Sequence, residues 1–274
     1  MTNSNKELPR FQKPPVVETV LGVHFRPLEK FNSVYQGLLW ERCFRERFSK
    51  LEERPLVEAV QERFGEERLA PPALRWQVSD RLPAPRLWVA SENGEHVIQI
   101  QKDALFANWL KTDDDAAYRP YSERRQEFGE QLRLVEDFFR KEGIGQLEPT
   151  SWCVTYVNHI DYEGLDNVGP AVAKTLTVWT NQFSDDFLHS PDNLTFSLAF
   201  PMPENAGRLN ATFKPVVRKD KRQALHLDLT ARGQLKTRDL TSALSAIDLG
   251  HEWVVRGFAS LTRPEMHQVW ERIQ

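Results

Sequence analysis

The stretch Glu95-His96-Val97-Ile98-Gln99-Ile100-Gln101-Lys102-Asp103 constrains the fold of this chain more tightly than any other. Asn93-Gly94 stands just before it. Both residues tolerate positive φ, which makes the dipeptide the strongest short hairpin signal in the sequence. Beyond the turn the residues alternate, Ile98 and Ile100 pointing one way and Gln99 and Gln101 the other. The spacing predicts a half-buried strand with an amide-lined outer face, running on into a hydrophobic hook of Leu105, Phe106, Trp109 and Leu110. A strand with one polar face belongs in an antiparallel sheet with one solvated side.

Around this strand the remaining elements read in order. Residues 1–13 are polar and predict a frayed arm. Pro14-Pro15 stiffens the entry into a strand carrying Val17, Thr19, Leu21, Val23 and Phe25, which Pro27 ends. A helix is expected from Glu29 to Leu51 on the stripe Phe31, Tyr35, Leu38, Phe44 and Phe48. Leu56, Val60 and Phe64 predict a short helix closed by Gly65. Strands near Leu74–Val78 and Arg86–Ala90 lead into the Asn93-Gly94 turn. Asp113-Asp114-Asp115 lies in a connection. Ser122 is placed to cap a long helix on Phe128, Leu132, Val135 and Phe139, ending at Gly143.

The second half repeats that order. A strand carries Trp152, Val154, Tyr156 and Ile160. A helix follows on Val168, Val172, Leu176, Trp179 and Phe183, capped by Asp166 or Asn167. Three strands come next, on Leu194–Phe200, Leu209–Val217 and Leu225–Leu229. Thr237 opens a long helix with Leu240, Leu244, Ile247, Val254, Phe258 and Leu261. Thr262-Arg263-Pro264-Glu265 reads as a capping box before a short last helix. The fold class is therefore α+β, with two similar halves of strand, helix, three strands and long helix at 14–145 and 150–274. Packed as one unit, they form an antiparallel sheet covered on one face by helices. In element order this is loosely like the TATA-box-binding protein, an analogy that carries no function.

Composition excludes several functions. With 274 residues, formal charge -3 and 27% charged residues, the chain projects no basic field toward nucleic acid or anionic lipid. Cys43 and Cys153 are far apart, on a helix-like and a strand-like segment, and predict buried thiols rather than a disulfide. No signal peptide and no apolar run of membrane-spanning length is present, so a cytoplasmic protein is expected. The P-loop, G-x-G-x-x-G and G-x-S-x-G patterns are absent, and no cofactor is expected.

Four pieces resemble a known family: Pro14-Pro15-Val16-Val17-Glu18; Gln99-Ile100-Gln101-Lys102-Asp103 with Asn108-Trp109; Tyr156-Val157-Asn158-His159-Ile160; and His251 to Trp270. Together they are similar to a sporadically distributed family of bacterial proteins of about this length, functionally uncharacterised. The resemblance implies the element order and a bacterial source. It brings no catalytic residue. His159 stands where that family often has a basic residue.

Three groups of residues could carry chemistry. His226 and Asp228 alternate with Leu225, Leu227 and Leu229 and face away from them. Gln99 and Gln101 hold the equivalent face in the first half, so the two pairs could line a shared concavity, although a solvated sheet face gives the same pattern. As an enzyme, the chain would use His226 as general base with Gln99 and Gln101 orienting substrate. Asp248, His251 and His267 are the weak metal candidates. His251 lies on an apolar helical stripe, where a hydrogen-bonded core histidine is the default. The basic tip at 218–222 is broken by Asp220 and reads as a solvated turn, so nucleic-acid binding ranks last. The leading expectation is a non-enzymatic interaction protein with a protein partner or a second copy, such as an accessory or neutralising partner in a bacterial defence or toxin–antitoxin cassette. Phe106 and Trp109 are its candidate anchors.

Overall fold

In the computed structural model, residues 7–65, 84–113, 118–162, 168–183, 187–218 and 220–273 are described. The strands are β1 (Val16–Phe25), β2 (Lys50–Arg54), β3 (Arg86–Ala90), β4 (His96–Gln101), β5 (Ala104–Leu110), β6 (Pro149–Asp161), β7 (Phe196–Pro201), β8 (Arg208–Val217) and β9 (Gln223–Gln234). The helices are α1 (Ser33–Leu39), α2 (Tyr121–Lys141), α3 (Val168–Thr175), α4 (Leu240–Leu261) and α5 (Pro264–Val269).

All nine described strands join one sheet in the order β2-β3-β4-β5-β1-β6-β9-β8-β7, each pair antiparallel. The hairpin at Asn93-Gly94 forms as the sequence requires. Gly94 takes φ 75°, its N–H reaches Ser91 O at 3.0 Å, and Asn93 Oδ1 accepts the Glu95 N–H at 3.2 Å. The hydrophobic hook is itself a strand, β5, because its residues pair one for one with β4 and β1.

Period two assigns the faces. Thr19, Leu21, Val23, Ile98, Ile100, Trp109, Val154, Tyr156, Leu227 and Leu229 lie buried on one side. There α4 packs on β6, β8 and β9, and α2 reaches β1 and β6 through Arg124. Phe31, just ahead of α1, joins them, its ring meeting Phe139 at 4.8 Å. Apolar burial of this extent is the main stabilising term of the fold.

Several expected elements differ. The Glu29–Leu51 helix is broken into α1, capped by Asn32, and a π-helical turn at Trp40–Phe44. The chain then turns at Phe48, whose carbonyl accepts from Trp40 Nε1 at 2.8 Å, and enters β2. With β2 and β5, four described strands follow the first helix where three were expected, and the expected strand at Leu74–Val78 lies outside the described residues. No helix forms on Leu56, Val60 and Phe64, since tertiary contacts described below hold this segment instead. α2 starts behind Pro120 with no side-chain cap, so Ser122 is not its cap. α3 stops at Thr175 and excludes Trp179 and Phe183, while Asp166 and Asn167 lie outside the described residues.

At the C-terminus, Asp239 rather than Thr237 caps α4, accepting the Ser242 N–H at 2.8 Å. Thr262 ends α4, its hydroxyl donating to Phe258 O at 2.7 Å. Arg263 takes the cap position of α5, so the expected capping box does not form. The described end of the N-terminal arm is not frayed. Gln12 and Lys13 donate backbone hydrogen bonds to Glu271 and Trp270, and the Phe11 ring packs on Phe258 at 5.5 Å.

Candidate functional site: the polar face of the sheet

Opposite the helices, alternate residues build a polar face. β9 contributes His226, Asp228, Thr230 and Arg232, and the β8 residues paired with them are Lys214, Thr212, Asn210 and Arg208. With Ser197, Leu198 and Ala199 of β7, all of these except Arg208 line an open concavity of about 610 Å³. Among the described residues, no helix crosses this face.

The chemistry of the concavity is mixed. His226 Nδ1 lies 3.2 Å from His159 Nε2 of the adjacent strand. Burial lowers the pKa of both rings, and each has a nearby cation or imidazole that adds to the effect: Lys214 for His226, and His226 for His159. Asp228 accepts the Thr230 hydroxyl at 2.8 Å. Glu18 of β1 sits in the same row, on the far side of Val157. Burial raises the pKa of both carboxyls, and the charge on Asp228 adds to the rise at Glu18. The face therefore holds two carboxyls shifted up by burial, a pair of imidazoles shifted down, and the cations Lys214, Arg208 and Arg232. Such a set recognises polar groups of either sign by hydrogen bonds.

The amide-lined face of β4 exists, but it is closed rather than offered. Gln99 and Gln101 are 5% and 1% exposed. Arg86 donates to Gln99 Oε1 at 2.6 Å, Gln99 donates to Asn108 at 2.7 Å, and Asn108 donates to Glu18 at 2.6 Å. This chain of donors runs across β3, β4, β5 and β1 and satisfies the amides internally. Gln99 and Gln101 also lie four strands from His226, about 19 Å at the usual strand spacing. They do not orient a substrate beside it, as the enzymatic reading expected.

Phe106 and Trp109 are not surface anchors. Phe106 is buried on the polar face over Gly22, where a Cβ would lie 2.8 Å from its Cε1, and its ring meets His24 at 5.2 Å. Trp109 is buried on the helix face against Tyr118. A bare backbone at Gly22 gives the Phe106 ring its seat.

The metal candidates do not form a site. Asp248 accepts the Tyr121 hydroxyl at 2.6 Å and pairs with Arg125 at 2.9 Å. His251 stacks on Tyr121 with centroids 3.6 Å apart and planes 7° from parallel, and its Nδ1 lies 3.0 Å from the Tyr156 hydroxyl. His267 lies elsewhere, bonded to Thr262 at 2.9 Å and Arg272 at 3.1 Å. Among the described residues, no group of three or more His, Cys, Asp or Glu is arranged to hold a metal ion. The His251 cluster instead fastens α2 to α4, as a hydrogen-bonded core histidine does.

Both cysteines are free, and burial pushes the Cys153 thiol up to about 12. At the basic tip, Arg218 and Arg222 pair with Asp161 and Asp220. No described helix is long and apolar enough to cross a membrane.

Sequence reasoning missed Glu62, whose side chain is 4% exposed. Its carboxylate sits on this same face between Arg208 Nη1 at 3.1 Å and Arg232 Nε at 2.5 Å, with Asn210 Nδ2 at 3.2 Å. Arg232 was within reach of the alternation that marked His226 and Asp228. No sequence signal marks Glu62, because its role depends on where a segment without regular structure is laid. In comparison with known proteins, no family model and no curated protein matches the chain.

Proposed function

We propose that this chain is a non-enzymatic binding protein whose working surface is the polar sheet face, with the groove over β7–β9 taking a polar segment of a protein partner. The observation that carries this reading is the groove itself. His226, Asp228, Thr230 and Arg232 stand on a face bare of described helices and open into about 610 Å³ of concavity. Concave sites of that size with convergent polar groups are where ligands bind. A bacterial accessory or neutralising partner, as in defence or toxin–antitoxin cassettes, is the setting attached to this reading, and it rests on the family resemblance alone. The strand order supports two similar halves: β1, β5, β4 and β3 run outward from the centre on one side as β6, β9, β8 and β7 do on the other.

The enzymatic reading has one observation in its favour, the His159–His226 pair with neutral rings 3.2 Å apart, which leaves a base available at neutral pH. A groove-filling variant addresses the binding reading directly. Ala199 lines the groove and is exposed, so Ala199→Trp blocks it without touching the core. In a pull-down from the native host, the expected result is a protein retained by the wild type and lost from Ala199→Trp. Identical capture by both baits removes the groove as the binding surface. Turnover of a metabolite pool that dies with His226→Ala favours the enzyme instead.

A further inference from the structure

The segment after β2 crosses the polar face from one half of the sheet to the other. At one end the Gln101 side chain grips the backbone of Val57. Its Oε1 accepts the Val57 N–H at 3.0 Å and its Nε2 donates to the Val57 carbonyl at 2.8 Å. At the other end lies Glu62, and Arg208 also donates to Arg63 O at 2.8 Å and stacks 5.0 Å over the Phe64 ring. From β4 to β9 is four strand spacings, about 19 Å. The five links from Val57 to Glu62 reach at most about 18 Å when fully extended. The side chains of Gln101 at one end and of Glu62, Arg208 and Arg232 at the other complete the crossing.

These contacts are those of a peptide receptor. Two hydrogen bonds from a side-chain amide to one residue's N–H and C=O recognise any polypeptide backbone. Two guanidinium groups and an amide around one carboxylate recognise a glutamate, and a guanidinium over a ring accepts an aromatic. The segment between the two ends contributes little hold, with Val60 56% exposed. Nor does the segment saturate its seat. Arg208 Nε is buried and has no hydrogen-bond partner among the described residues.

We propose that Arg208, Arg232, Asn210 and Gln101 form a binding site for an acidic polypeptide segment of the pattern Glu-x-aromatic. In this chain its own residues 57–64 occupy the site, and a partner segment takes their place by displacing them. The proposal rests on the reading of the polar face as the working surface. It adds the partner's chemistry and an occupant that covers the Arg208–Arg232 end of the face until exchanged. Intramolecular occupancy makes the cis segment a strong competitor at high effective concentration. Loosening it therefore raises apparent affinity for a trans segment by the same factor that it vacates the site.

The probe is a fluorescein-labelled peptide of residues 55–65, Pro-Leu-Val-Glu-Ala-Val-Gln-Glu-Arg-Phe-Gly, titrated by anisotropy against the full chain. Glu62→Gln weakens the clamped end. Val57→Pro removes the N–H that Gln101 holds, without touching the arginines. Either loosened protein is expected to bind the peptide at least tenfold more tightly than the wild type. A peptide with glutamine at the position of Glu62 is expected to lose that gain, and adding Arg208→Gln and Arg232→Gln to Val57→Pro is expected to abolish binding. Circular dichroism establishes that each variant is folded, and the two loosening variants act at opposite ends, so one misfolding leaves the other to decide. No gain in either folded variant overturns the proposal, as does equal binding of the glutamine peptide. Displacement of the peptide by inorganic phosphate at equal concentration also overturns it, in favour of a simple anion site. Ala199→Trp added to Val57→Pro separates this proposal from the groove reading. Tight peptide binding there, with partner capture unaffected by Ala199→Trp, leaves the clamp standing and removes the groove.

Discussion

His251 shows how one buried side chain ties stability to pH. A histidine in an unfolded chain takes up its proton near pH 6.5, and burial together with the Arg124 charge pulls this one down to about 3. Between those values the unfolded chain binds the extra proton and the folded chain does not. The contribution is thus complete above the unfolded value and is lost as pH falls. From pH 7 to pH 5 the loss from this group is about 2 kcal/mol. Glu18 and Asp228 act with the opposite sign, since their folded pKa values are raised and acidification relieves them. A comparison with His251→Phe cancels those carboxyls and keeps a flat ring against Tyr121. The variant is expected to be less stable at pH 7, because the Tyr156 hydroxyl loses one of its partners, the His251 ring, but to lose about 2 kcal/mol less than the wild type on going to pH 5. Urea unfolding of both proteins at both pH values measures this, and equal pH dependence would show that His251 does not titrate as argued.

At the scale of elements, α4 lies close on the sheet because Gly250 faces Trp152. A Cβ at Gly250 would fall 2.5 Å from Trp152 Cζ3 and 2.8 Å from Val154 Cγ2. The indole is fully buried and has no room to move aside. Gly250→Ala gains about 1 kcal/mol of helix propensity but overpacks this contact, and a net loss of about 1–3 kcal/mol is expected. Gly37 of α1 supplies the contrast, since a Cβ there meets nothing within 4 Å. Gly37→Ala is expected to stabilise by up to about 1 kcal/mol. Denaturation midpoints of the two variants moving in the same direction would show that close helix–sheet approach does not decide the outcome.

Across the whole molecule, the two halves of the sequence are sealed by the ladder of β1 on β6, which runs from Val16↔Asn158 to Phe25↔Pro149. Hydrogen bonds of the sheet and the helix layer both cross this seam, Arg124 of α2 reaching Tyr156 of β6 at 2.9 Å. Unfolding one half would strip a central strand of its partner and expose its core face, so a single cooperative transition is expected. Trp40, Trp88 and Trp109 report on one half, and Trp152, Trp253 and Trp270 on the other. Tryptophan fluorescence and far-UV circular dichroism should therefore give coincident urea curves. Two resolved transitions would mean that the seam does not couple the halves.

The sequence by itself determined the local structure wherever one period dominated. Alternation at Ile98–Gln101 and Leu225–Leu229, the Asn93-Gly94 turn, and the stripes of α2 and α4 all specify an element and its buried face from neighbours a few residues away. His226 and Asp228 were legible as outward-facing for the same reason. Tertiary structure decided the rest. Leu51 ends the helix that the sequence predicts, yet it lies in a strand because β3 offers an edge to pair with. Phe106 has the composition of an anchor, yet a glycine on the neighbouring strand gives it a seat. Gln99 and Gln101 look free until Arg86, Asn108 and Val57 arrive from distant positions in the chain. Glu62 lies in a segment whose helical spacing is overridden, and its carboxylate finds two arginines from the other end of the sequence. Periodicity encodes which face of an element is apolar. It does not encode which segment is laid across the polar face, because that choice is made by charge and hydrogen bonding between residues far apart in sequence.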